Sequence, residues 1–155
     1  MWKRMTILAL IALLLTMAVA TAVSADSVIG SGWLEADGDG RACMTGNAET
    51  LLLSGQGVVW YFDAGEVDEP VITGQGVRRD FASGWVRWKG FDGTFTLSDA
   101  DEIIVCLRGK DIHMHVAGTG AVKLTGKGHY ETGAEDVPTI DGLWTATGRV
   151  IEFGQ

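Results

Sequence analysis

The chain has 155 residues, with 20 acidic side chains against 12 basic ones and a net charge of −8 when histidine is neutral. That balance argues against nucleic acid and anionic membranes as partners, because both are held mainly through basic patches. Only two prolines, Pro70 and Pro138, occur, so no proline-rich linker divides the chain.

In chain order, Met1-Trp2-Lys3-Arg4 is a short basic segment, and Thr6 to Val23 is an almost unbroken apolar run. Val23-Ser24-Ala25 then places small residues where a signal peptidase accepts them, so residues 1–25 read as a signal peptide removed before Asp26. A retained anchor is the alternative, although the run sits at the short end of what spans a bilayer. Cleavage leaves residues 26–155, with 10 basic against 20 acidic side chains and a net charge of −10. A chain of that length reads as a single exported domain with its own core and no later membrane span.

Residues 26–155 read as strand after short strand. Trp33 to Ala36 leads into Asp37-Gly38-Asp39-Gly40, a hairpin signal, followed by Arg41 to Met44. Leu51-Leu52-Leu53, Val58 to Phe62, Val71 to Thr73, Trp85 to Trp88 and Thr94 to Leu97 continue the pattern. Beyond a short helical turn expected near Asp99-Ala100-Asp101-Glu102 come Ile103 to Leu107, Ile112 to Val116, Ala121 to Leu124 and Trp144 to Ile151. Ile112, Met114 and Val116 alternate with His113 and His115, the mark of a half-buried strand. The fold class is all-β.

Five Gly-x-Gly steps that are each followed by a bulky or β-forming residue punctuate these strands, at Gly30, Gly55, Gly74, Gly118 and Gly126. Two of them, Ser54-Gly55-Gln56-Gly57-Val58 and Thr73-Gly74-Gln75-Gly76-Val77, repeat at a spacing of 19 residues. The recurrence suits a small β-solenoid, and the strand spacing equally suits a β-sandwich or barrel. With Ala117 to Val122, these steps resemble the repeats of exported adhesin-head (GIN-domain-like) domains. The resemblance implies a β-helical scaffold with an adhesive role and brings no catalytic residue with it. It covers part of residues 50–130 and breaks between Val77 and Ala117.

Cys43 and Cys106 are the chain's two cysteines. In an oxidising compartment an even pair reads as one disulfide, closing a loop of about 60 residues worth about 4 kcal/mol. Two buried thiols at strand ends are the alternative.

Glu35, Asp37 and Asp39 resemble the acidic opening of a Ca²⁺ loop, although position twelve of such a loop falls on Gly46. The plainer reading is a solvated turn. His113 and His115 share a strand face, a spacing open to a metal, and His129 lies one or two strands later. No Cys or acidic residue completes an obvious ligand set, and a solvent-facing polar row is the plainer reading. Trp85, Arg87 and Trp88 form the candidate ligand or partner surface, an amphipathic cluster able to stack on sugar or anchor a protein; filling the core of a two-sided sheet is the plainer reading of the tryptophans.

Asp63, Glu66, Asp68 and Glu69 crowd one acidic stretch, but no nucleophile elbow, zinc-protease helix or phosphate loop occurs. These features point away from an enzyme. They suggest an exported, non-catalytic β-scaffold acting at the cell envelope or outside the cell on a protein, a cell-surface component or a second copy of itself. The alternative is a ligand-binding module for carbohydrate or Ca²⁺.

Overall fold

The computed structural model describes residues 31–64 and 69–155; the leader expected at 1–25, and Glu66 and Asp68, lie outside them. The described chain is all-β, with β1 at Gly32–Asp63, β2 at Val71–Asp80, β3 at Val86–Ala134, β4 at Val137–Leu143 and β5 at Arg149–Phe153. The five strands form one antiparallel sheet that is not closed, and no solenoid is identified in it. Among the described residues no helix is long and apolar enough to cross a membrane.

The short strands expected from the sequence are joined. β1 runs for 32 residues and β3 for 49. Asp37-Gly38-Asp39-Gly40 is a bend inside β1, where a hairpin was expected. The helical turn expected at Asp99 to Glu102 is a kink in β3, with left-handed φ of 52° at both ends.

Pairing of these two strands explains their length. Val116 of β3 lies between Leu34 and Leu51 of β1, which are 17 positions apart. Leu34 in turn lies between Val116 and Thr132, 16 positions apart on β3. No straight strand can meet the same partner twice. β1 and β3 therefore wind together as a two-stranded ribbon whose successive turns hydrogen-bond side by side. At about 3.3 Å per residue, one turn of 17 residues is about 56 Å around.

Glycine makes the winding possible. Gly126, Gly40, Gly109 and Gly57 are consecutive cross-strand partners, and Gly55, Gly93 and Gly74 carry the same column to β2. A Cβ on Gly109 would collide with the Gln56 carbonyl, and one on Gly57 with that of Arg108. Glycine alone lets the backbones close up here while the ladder continues across the bend. A second column of small residues links Ala100, Ala48 and Gly118, with Gly46 opposite Gly120.

These bends fold the sheet over into two panels around a shared core. Trp88 and Phe95, seven residues apart on β3, would be about 23 Å apart on a straight strand; their ring centroids are 5.8 Å apart. Phe95 also meets Tyr61 at 5.4 Å. One panel holds residues 41–45, 58–63, 86–89, 103–108 and 121–125, and the other residues 33–37, 50–54, 94–98, 112–117 and 129–132. Leu34, Leu51, Leu53, Phe95 and Met114 from the second panel pack with Met44, Val59, Val105 and Leu107 from the first. Each large aliphatic or aromatic side chain so buried contributes about 1.5–3 kcal/mol. Side chains alternate between this core and the outer surfaces, so each panel has one outward face.

Candidate functional site

The outward faces differ in chemistry. On the panel containing residues 33–37, two cross-strand rows run over the surface. One passes through Ser54, His113, Asp37 and His129; the other through Leu52, His115, Glu35 and Glu131. Winding brings β3 past β1 on both sides, so Asp37 lies between two imidazoles. His113 Nδ1 is 2.8 Å from Asp37 Oδ1, and His129 Nε2 is 3.8 Å from Asp37 Oδ2. Donor atoms of Glu35, Asp37 and His113 lie within 4.8 Å of one another. The Trp144 indole N–H donates to the His129 carbonyl at 2.9 Å, tying the following segment to the strand that carries this histidine.

Asp39, grouped with Glu35 and Asp37 in the sequence, is engaged elsewhere. Its Oδ1 accepts the Asp111 backbone N–H at 2.8 Å, across the glycine bend. Asp111 has a left-handed φ of 50°, so this bond holds a strained step of β3 in place. The structure thus joins Glu35 and Asp37 to histidines and gives Asp39 a backbone partner.

The other panel carries the disulfide. Cys43 and Cys106 are direct cross-strand partners with their Cα atoms 4.1 Å apart, and their sulfurs are bonded. The Arg41 Nε–H donates to Cys43 Sγ at 3.1 Å. Around this bond the outward residues are basic and aromatic. Arg41, Arg108 and Lys89 lie in one cross-strand row with Val58, and Trp60 links Cys106 to Arg87 in the next. Together they line a groove of about 420 Å³. Among the described residues no carboxylate forms a salt bridge with Arg41, Arg87, Lys89 or Arg108.

Next to the groove, Trp60 stacks on Phe81 at 5.5 Å and meets Trp85 edge-on at 6.3 Å. The Arg87 guanidinium lies 5.3 Å from the Trp60 ring and 5.6 Å from that of Phe81. Its Nε is buried and, among the described residues, has no hydrogen-bond partner. Trp85 and Arg87 therefore belong to an outer surface, as the sequence suggests. Trp88 does not: it is 5% exposed and packs on Phe95, because its position in β3 has the opposite parity to Arg87. Its place on the surface is taken by Trp60 of β1 and by Phe81, 21 residues on, in the turn between β2 and β3.

Of the acidic stretch, Asp63 accepts the Tyr61 hydroxyl at 3.2 Å and Glu69 reaches Arg78 at 3.6 Å. Burial, with Asp63 alongside, pushes the Tyr61 phenol well above the usual tyrosine range. The Arg78 guanidinium also binds Asp80 at 2.9 Å, so among the described residues it has carboxylate partners that the groove cations do not.

Sequence reasoning missed Arg41, Lys89 and Arg108 as a group, and it missed the meeting of the histidines with Glu35 and Asp37. Both depend on which residues lie opposite one another across the wound ribbon. No family model, curated protein or solved structure matches this chain.

Proposed function

We propose that the protein is an exported, non-catalytic β-scaffold that acts by contact, and that its contact face is the basic, aromatic panel. The observation that carries this reading is the groove formed by Arg41, Arg87, Lys89 and Arg108 around Trp60, in a chain of net negative charge. Four cations with no salt bridge among the described residues, beside an aromatic wall, suit an anionic polymer at the cell surface, such as a glycan bearing carboxylate or sulfate groups. The guanidinium groups would meet its anions as forked donors, and Trp60 and Trp85 would stack on its sugar rings. The Cys43–Cys106 bond supports export, since such bonds persist in oxidising compartments, and it stiffens the strands that carry the groove.

Chromatography on immobilised heparin, used as a polyanion probe, tests the proposal. The protein is expected to be retained at low ionic strength and released by salt, with Lys89→Ala/Arg108→Ala, both exposed, flowing through at unchanged melting temperature. Passage of the unaltered protein, or retention indifferent to the double substitution, would overturn it.

A second reading, self-association, rests on the sheet edges. Among the described residues β2 hydrogen-bonds to β3 alone, and it exposes Val71 and Val77, beside Arg78 and Arg79. β4 exposes Val137, Ile140 and Leu143 beside Asp136 and Asp141. Edges of opposite charge can add to one another strand to strand. Light scattering over a concentration series in non-reducing buffer decides it: growth in mass supports edge pairing, and a constant monomer removes it.

A further inference from the structure

The geometry points to a site for a divalent transition-metal ion on the panel opposite the groove, held by Glu35, Asp37 and His113 with His129 as the fourth donor. Three observations converge there. Winding of β3 past both sides of Asp37 places an imidazole on each flank, at 2.8 and 3.8 Å from its two carboxylate oxygens. Glu35, two residues along β1 and on the same face, brings a further carboxylate, so that three donor atoms from three side chains lie within 4.8 Å. All three histidines of the chain are on this face, although an ordinary cross-strand ion pair needs only one.

Charge strengthens the case. In the second row Glu35 faces Glu131, and Glu131 faces Asp141. Like charges directly opposite one another are unfavourable in a sheet. Among the described residues no lysine or arginine occupies a register position within these rows. A bound cation would relieve that crowding.

The donor set selects the kind of ion. Two imidazole nitrogens and two carboxylate oxygens suit zinc and its neighbours, whereas calcium takes six to eight oxygens. Donors on a tetrahedral zinc ion, each about 2.0–2.1 Å from the metal, lie about 3.3 Å apart. Rotation of half-exposed side chains can close the present spacing to that value. One pass of β1 and the two passes of β3 that flank it carry the donors, so the backbone framework is already in place. Only side-chain rotamers remain to be ordered on binding.

Isothermal titration of the untagged, disulfide-intact protein with zinc chloride, and in parallel with calcium chloride, tests the site. One zinc ion per chain is expected, with affinity reduced at least about tenfold in Asp37→Asn and in His113→Ala. His129→Ala should weaken binding by a similar or smaller factor, and His115→Ala should leave it within about twofold. Cobalt(II) substitution adds an independent readout, since ligand-field absorption reports four-coordinate binding even where heats are small. Absence of zinc binding would overturn the proposal, as would calcium binding of equal strength. Binding that survives both Asp37→Asn and His113→Ala, or that His115→Ala abolishes, would overturn the ligand assignment.

Discussion

The two outward faces of this protein are made by the same strands, yet they have opposite character. On one, Arg41, Arg108, Lys89 and Arg87 surround Trp60 and a disulfide. On the other, Glu35, Asp37 and Glu131 intermingle with three histidines. Each time β1 or β3 rounds the glycine column it passes from one face to the other. Glu35 and Asp37 lie before the bend at Gly38 and Gly40, and Arg41 and Cys43 after it; His113 and Arg108 bracket Asp111 and Gly109 in the same way. The lesson is that net charge describes a chain and not a surface. A strongly acidic sequence can present a basic face if its bends sort the charges.

The comparison can be broken most severely at the disulfide. Reducing Cys43–Cys106, or replacing both cysteines by serine, removes a cross-link between residues 63 positions apart. The expected loss is about 4 kcal/mol in the chain-entropy treatment, seen as a lower denaturant midpoint. An unchanged midpoint would mean that winding alone holds the basic panel together.

Next in size is the bend itself. Gly109→Ala sets a methyl group against the Gln56 carbonyl and should cost about 3 kcal/mol by the overpacking mechanism. Thermal melting checks this. Full stability in the variant would show that the glycine column is not what allows the sheet to fold over.

A smaller effect separates the buried side of the basic panel from its outward side. The neutral Tyr61 phenol is favoured in the folded state, because burial raises its pKa above the unfolded value near 10. Its contribution is full below about pH 10 and is lost as the pH rises above that, where the unfolded chain releases the proton first. Denaturant titrations at alkaline pH should show a falling limb that Tyr61→Phe flattens. An identical limb in the variant would assign the loss to other groups.

The smallest change sharpens the contrast between the faces. Asp37→Asn removes a partly exposed pairing with His113 that is worth no more than about 1 kcal/mol. Its melting temperature should therefore barely move, while zinc affinity drops. A large fall in stability would mean that Asp37 is structural and that the histidine face, like the disulfide face, holds the fold together.

Much of the local structure was legible beforehand. Alternation of Ile112, Met114 and Val116 with His113 and His115 announced a half-buried strand, and those three are buried in the core. Gly-x-Gly steps marked where strands change direction. Their meaning was less accessible, because a glycine pair looks the same whether it makes a hairpin or a bend in a continuing ladder. Trp88 illustrates a second difficulty. Strand parity separates it from Arg87, but period alone does not say which of the two faces is the core.

By itself the amino-acid sequence determined the all-β class, glycine steps at which strands are free to bend, and which residues could alternate between core and solvent. These are matters of side-chain period and backbone freedom, and both act over a few residues. Only the tertiary structure decided that Asp37 sits between His113 and His129, that Cys43 meets Cys106, and that four cations share one groove. The physical reason is register. A shift of one residue in the β1–β3 pairing would exchange inward for outward side chains, and that register is set by packing across 16 or 17 residues of winding.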